Sequence, residues 1–222
     1  MTNTYSPSDA IIQLVVARCV GDTERLNVHR GVLCKSSKFF QNAMKPEWTN
    51  MQAGPNIIDL PDDPVDVVSD YIIWLYYDTI PDKQYEAVAN TREEKAEESE
   101  KVFVVLAEAY VFGEKMVDMK YKNAVLQTIF TAQKAFGWHM GPESLKIVYK
   151  GTPPKSPLRR LIAENFAYMA HDDSGKGVGW MQYLEDCPRE ALVDVAKITV
   201  KVRPSRPDYS PGVGSYFEEE QF

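Results

Sequence analysis

Residues 11–16 read Ile-Ile-Gln-Leu-Val-Val, a mostly β-branched apolar run that Arg18-Cys19-Val20 extends to a Gly21-Asp22 turn signal. On the far side, Glu24 to Val28 alternates polar and apolar residues. Strand-like runs flanking a turn predict a β-hairpin. At Arg30 the period changes. A short helix from Arg30 to Cys34 directs Val32 and Leu33 inward, and Ser36 or Ser37 can cap a second helix. There Phe39, Phe40, Ala43 and Met44 share one face. Pro46 ends that helix, because proline disfavours helical geometry in the residue before it. Gly54-Pro55 is a turn, and Asn56 to Leu60 predicts a third strand. Asp62-Asp63-Pro64 then offers an N-cap carboxylate and an early proline to a helix running from Val65 to about Tyr77. Its Val67, Val68, Tyr71, Ile72, Leu75 and Tyr76 form a stripe of period 3.6.

The second half is helical. Asn90 to Glu100 is a run of charge, read as a loop or as a polar lead-in to the next helix, with Glu97 and Lys101 at a supportive i,i+4 spacing. Val102, Val105, Leu106, Ala109, Tyr110 and Phe112 mark a buried helix that Gly113 and Asp118 break, and Tyr121 to Phe130 begins another. Glu143 to Tyr149 reads as a short helix. Ser156 as N-cap with Pro157 at N1 launches a further one to Met169, and Arg189 to Lys197 forms the last. Asp172 to Gly179 carries three glycines but no phosphate-cradle motif, so it reads as a plain flexible loop. Beyond Arg203 the Pro- and Gly-rich segment ending in Glu218 to Glu220 reads as a disordered tail.

Composition narrows the function. A net charge of −7 argues against a nucleic-acid partner, since phosphate contacts need clustered Lys and Arg. Lys155, Arg159 and Arg160 form the densest basic group. No apolar run reaches the ~20 residues that span a bilayer, and the polar Met1 to Pro7 segment lacks the pattern of a secretory signal. A cytoplasmic or nuclear location is expected. Cys19, Cys34 and Cys187 are too scattered for a disulfide framework or zinc site. Neither a metal nor a cofactor is expected.

Four segments together resemble a BTB/POZ domain. They are Val28-His29-Arg30-Gly31-Val32-Leu33, Ser36-Ser37-Lys38-Phe39-Phe40, Leu60-Pro61-Asp62-Asp63-Pro64 and Trp74-Leu75-Tyr76-Tyr77, with Leu106 to Tyr110 fitting a later helix. Ile147-Val148-Tyr149, Thr152-Pro153 and Leu158-Arg159-Arg160 are similar to the C-terminal extension of fungal BTB proteins. The resemblance implies an α+β fold, a cluster of helices capped by a mainly three-stranded sheet, followed by additional C-terminal helices. It implies a BTB/POZ-like part over residues 8–127 with an acidic insertion at about 82–100, a helical extension over 128–202, and the tail over 203–222. Its activity would be protein–protein contact as a dimerisation or adaptor scaffold, without catalysis. Many members carry an aspartate at the head of the first strand, where it contributes to the dimer interface in the zinc-finger branch. The matching position here is Ile11, with Asp9 two residues earlier, and this departure counts against dimerisation of that kind.

Candidate contact residues are Met44, Glu47, Trp48, Tyr76 and Tyr77. Met44-Lys45-Pro46-Glu47 is similar to the hydrophobic–x–Glu element of adaptors that bind cullin-type ubiquitin ligase scaffolds, with one residue more between the apolar side chain and the acid. Homodimerisation, a cullin partner and a transcription-associated scaffold are the alternatives within this class. Ser210-Pro211 is a candidate phosphorylation site. A hydrolase built on His29 or His171 is the weakest reading, because no nucleophile signature accompanies either. His29 reads as a hydrogen-bonded structural residue, and His139 and His171 as exposed ones.

Overall fold

A computed structural model describes residues 6, 8–19, 22–49, 54, 56–81 and 91–205. The architecture is α+β. Strands β1 (Ile11–Cys19) and β2 (Asp22–His29) form the expected hairpin, and β3 (Ile57–Pro64) pairs parallel to β1, giving the order β2-β1-β3. Alternation puts Ile12, Leu14 and Val16 of β1 in the core, with Ile58 and Leu60 beside them. Helices α1 (Arg30–Leu33), α2 (Lys38–Ala43) and α3 (Pro46–Thr49) follow the hairpin, and α4 (Val65–Tyr77) follows β3. Then come α5 (Arg92–Lys115), α6 (Met119–Phe136), α7 (Pro142–Gly151), α8 (Pro157–Met169), α9 (Trp180–Tyr183) and α10 (Arg189–Val202). None of these helices is long and apolar enough to cross a membrane.

The centre is Tyr71 on α4. Its ring stacks on Phe40 and Trp74 and meets Phe112 and Tyr121 edge-on, with centroids 4.8–6.4 Å apart. Its hydroxyl donates to Asp118 at 2.9 Å. Asp118 is fully buried and also accepts from Ser36 and from the backbone amides of Lys120 and Tyr121, capping α6. One carboxylate therefore joins α2, α4 and α6. Burial and the neighbouring Asp118 push the Tyr71 hydroxyl far above the usual phenol range.

Local signals held where they rested on capping or on stripes. Ser37 is the cap of α2, accepting from the Phe40 amide at 3.2 Å. They failed where a neighbour competed. Asp63 caps nothing: β3 continues through it to Pro64, which pairs with Ala17, and Asp63 instead meets Lys115 at 2.6 Å. Ser156 takes the N-cap position of α8, but its hydroxyl approaches Tyr110 and Glu114 rather than the helix amides. The acidic run from Arg92 onward is helix, opened by a capping box between Thr91 and Glu94. Residues 82–90 of the expected insertion lie outside the described residues.

The break between α5 and α6 is sharper than glycine and aspartate alone predict. α5 runs straight through Gly113, and its end is a Schellman turn: the Asp118 amide donates to Gly113 O and the Val117 amide to Glu114 O. Val117 occupies the left-handed position, φ 50°, where a β-branched residue is strained. α6 continues unbroken past residue 127, so the expected boundary between the two parts falls inside a helix. Gly151 ends α7 against α5, where a Cβ would fall 2.3 Å from Val111 Cγ1.

The C-terminal helices are tied by polar groups. Arg159 is buried, and its guanidinium donates to Tyr149 O at 2.5 Å, to Thr152 O, and to Thr152 Oγ1 at 2.9 Å. It also meets Glu190 of α10 at 3.0 Å and lies 4.5 Å from the Tyr149 ring centre. On α10, only Ala191 is fully buried.

Candidate functional site

Two of the expected contact residues lie at one corner of the sheet. Ile11, at the head of β1, pairs in register with His29, the last residue of β2. Tyr76 Oη accepts from the His29 amide at 3.1 Å and lies 2.6 Å from His29 Nδ1. The amide can only donate, so the Tyr76 oxygen accepts there, and the hydroxyl and the imidazole share a second hydrogen bond. His29 is a strut between sheet and α4, in keeping with its structural reading. Beyond it, Tyr77 is 74% exposed, its ring 6.4 Å from Tyr76, and Ile73 lies one turn earlier at 41%. Ile11 itself is 44% exposed. Asp9 turns away from this corner: its carboxylate accepts from the Gly31 amide at 2.5 Å and the Ala10 amide at 2.9 Å. The corner is thus apolar and aromatic.

The other expected residues belong to α2 and α3. Met44 faces the core at 7% exposure, whereas Glu47 is exposed on α3. Trp48 belongs to α3, and its side chain lies outside the described residues, as does Ser210. Ser37 Oγ donates to Met116 O at 2.7 Å and the Phe39 amide to the same carbonyl at 3.3 Å. This packing leaves Val117 and Met119 exposed beside the start of α2. Tyr76 and Tyr77 thus lie on α4, and Met44 and Glu47 on the segment that follows α1, linked to it by a bond from Arg30 to Met44 O.

A third feature was invisible to sequence reasoning. A cavity of about 220 Å³ opens between the end of α6, helix α8 and residues 171–183, which fold across them. Trp138, His139, Phe166, Trp180 and Tyr183 supply its aromatic walls, and Arg92, His171 and Lys176 add cationic or titratable groups. The segment expected to be a plain loop is organised by Asp173. Its carboxylate accepts from the Trp180 amide at 2.9 Å and the Met181 amide at 3.1 Å, and lies 3.6 Å from Arg92. Burial opposes ionisation of Asp173, but those amides with His171 and Arg92 outweigh it and hold the carboxyl below its ordinary range. Gly179 is needed for close approach: a Cβ there would fall 1.8 Å from Asp173 Oδ2. His139, expected to be exposed, packs against the Trp180 ring at 5.2 Å, and burial lowers its pKa. Neither serine, threonine nor cysteine lines this hollow. Its residues are scattered from Arg92 to Tyr183, so no sequence window brings them together.

The hairpin with its parallel third strand, the helices clustered beneath, and the apolar corner define a fold made for display of a surface. A family model for the BTB/POZ domain matches residues 12–129, more than half of the chain. The protein belongs to the BTB/POZ family, whose domain is a protein–protein interaction module. A search of curated proteins returns no match.

Proposed function

We propose that this chain is a non-enzymatic scaffold that self-associates through the corner formed by Ile11, Ile73, Tyr76 and Tyr77. The observation carrying this reading is apolar exposure: Ile11, Ile73 and Tyr77 all present large apolar surface to solvent. The association rests on these side chains and not on the aspartate contact of the zinc-finger branch, which Ile11 replaces. Exposed apolar side chains grouped on a surface mark interaction sites, and aromatic anchors dominate their energetics. His29 and Tyr76 brace the corner from below, so little order is lost on association.

The C-terminal helices add a second face. A groove of about 570 Å³ between α8 and α10 is lined by Lys155, Arg160, Lys197 and Lys201 against Glu164 and Asp194. On an acidic chain this local excess of cations favours an acidic partner, which supports an adaptor role for the dimer in the cytoplasm or nucleus. The ligase-adaptor reading needs a displayed apolar residue near Glu47, and the burial of Met44 gives it less support.

Light scattering on the eluting chain tests the proposal. The wild type is expected at twice the monomer mass and the Ile11→Lys/Tyr77→Lys double variant at the monomer mass, with unchanged thermal unfolding of the monomer. A monomeric wild type, or a double variant that remains dimeric, overturns it.

A further inference from the structure

The cavity between α6, α8 and the 171–183 segment belongs to neither docking face, and its lining is chemically distinct from both. Its walls are the π-faces and edges of Trp138, Phe166, Trp180 and Tyr183. Phe166 and Trp180 are already in edge-on contact at 4.7 Å, so the walls are pre-set rather than waiting for a ligand to order them. Around the rim stand Arg92, Lys176 and His171. The lone carboxylate of the lining, Asp173, is 3% exposed and already holds two amides and the Arg92 guanidinium. Lys176 makes no ion pair among the described residues. With Arg92 and Asp173 offsetting one another, Lys176 leaves the lining with a positive balance, on a chain whose net charge is −7.

The floor is fixed from beneath. Glu100 on α5 accepts from the Gly141 amide at 2.7 Å, the Ser144 amide at 2.8 Å and the Ser144 hydroxyl at 3.1 Å, clamping the chain that follows Trp138 and His139. Arg92 stacks over Trp138 at 4.8 Å and donates to Val178 O at 2.9 Å, joining the first turn of α5 to the covering segment. A buried polar atom also lacks an explanation in the protein alone. His139 Nδ1 is out of contact with solvent and has no hydrogen-bond partner among the described residues.

We propose that this cavity binds a small aromatic carboxylate, its ring between Trp180 and the other aromatic walls and its charge at Lys176. Size selects the class. At about 220 Å³ the hollow lies below the ~300–1,000 Å³ of drug-sized sites, which limits the occupant to one ring with a short acidic arm. Aromatic walls with few placed cations match such a ligand in both parts, whereas a simple inorganic anion would leave the aromatic faces wet. The cavity joins α5 and α6 to the C-terminal helices, so its occupant fastens the two parts of the molecule together.

Titration of the full chain with phenylacetate, followed by calorimetry and by the fluorescence of Trp138 and Trp180, tests this. Saturable binding with one site per chain is expected. Phenylacetamide, which keeps the ring and loses the charge, and acetate, which keeps the charge and loses the ring, should each bind at least roughly tenfold more weakly. Lys176→Gln, an exposed substitution that leaves folding untouched, should weaken phenylacetate by a similar factor. Trp180→Ala should abolish binding. Should that variant fail to fold, Lys176→Gln and the two probe comparisons decide the matter alone. No saturable signal, equal binding of the amide, equal binding of acetate, or an unchanged affinity in Lys176→Gln overturns the proposal. The outcome is independent of whether the chain dimerises.

Discussion

The two halves of this molecule share one apolar core and differ in the polar group set into it. Beneath the sheet, Tyr71 touches four aromatic rings and hands its hydroxyl to a carboxylate that joins three helices. In the C-terminal helices, a buried arginine reaches a carbonyl of the last turn of α7, one of the α7–α8 connection and one acid of α10, whose inner face is shallow. Side-chain packing is shared among many neighbours and yields cooperative stability. A polar keystone is strong only while every partner is in place, and its loss is local.

The largest effect should come from Tyr71→Ala. It removes a fully buried ring and one of the donors to the buried Asp118, so about 3–5 kcal/mol of global stability should be lost, read as a shift in the denaturant midpoint. Arg159→Ala should cost about 3 kcal/mol, because two backbone carbonyls and Thr152 lose their donor. Hydrogen exchange should confine most of that loss to α8 and α10. An equal loss of protection in β1 and α4 would erase the contrast between the halves. Val117→Gly should have the opposite sign. Relief of the left-handed strain at the Schellman turn should stabilise the chain by about 1 kcal/mol, seen as a higher unfolding midpoint.

The smallest effect is pH. Burial holds His139 below its ordinary 6.5, so the unfolded chain takes up a proton that the folded one refuses. The stability from this group is complete above 6.5 and is lost as pH falls through that value towards the folded pKa. Amides of residues 171–183 should therefore exchange faster on mild acidification, relative to those of β1. His139→Gln should remove the difference. Persistence of the same acid sensitivity in that variant would place its origin elsewhere.

What the sequence revealed followed from how local each cause is. The hairpin, the Ser37 cap and the α4 stripe depend on neighbours within a few residues, and all three are present. The first turns of α5 carry no broad apolar stripe. Ala96 and Ser99 are the buried positions before Phe103, so the helix rests on its capping box and on small residues. Asp63 and Ser156 had plausible capping roles that partners far along the chain, Lys115 and Tyr110, took over. Of the proposed contact residues, Tyr77 is picked out in the sequence by its place at a helix end. Ile11 is not, because exposure at a strand head depends on the register with His29 and the approach of α4. The cavity was hidden for the same reason: its aromatics converge only once three helices and a folded loop are assembled.

The central claim is that the corner at the head of β1 is covered by a second copy of the chain. Hydrogen exchange measured at low and high protein concentration tests it most directly. Amides of residues 11–13, 27–29 and 73–78 should become slower to exchange as concentration rises, while those of α8 and α10 stay constant. Identical exchange at that corner across the whole concentration range would contradict the account.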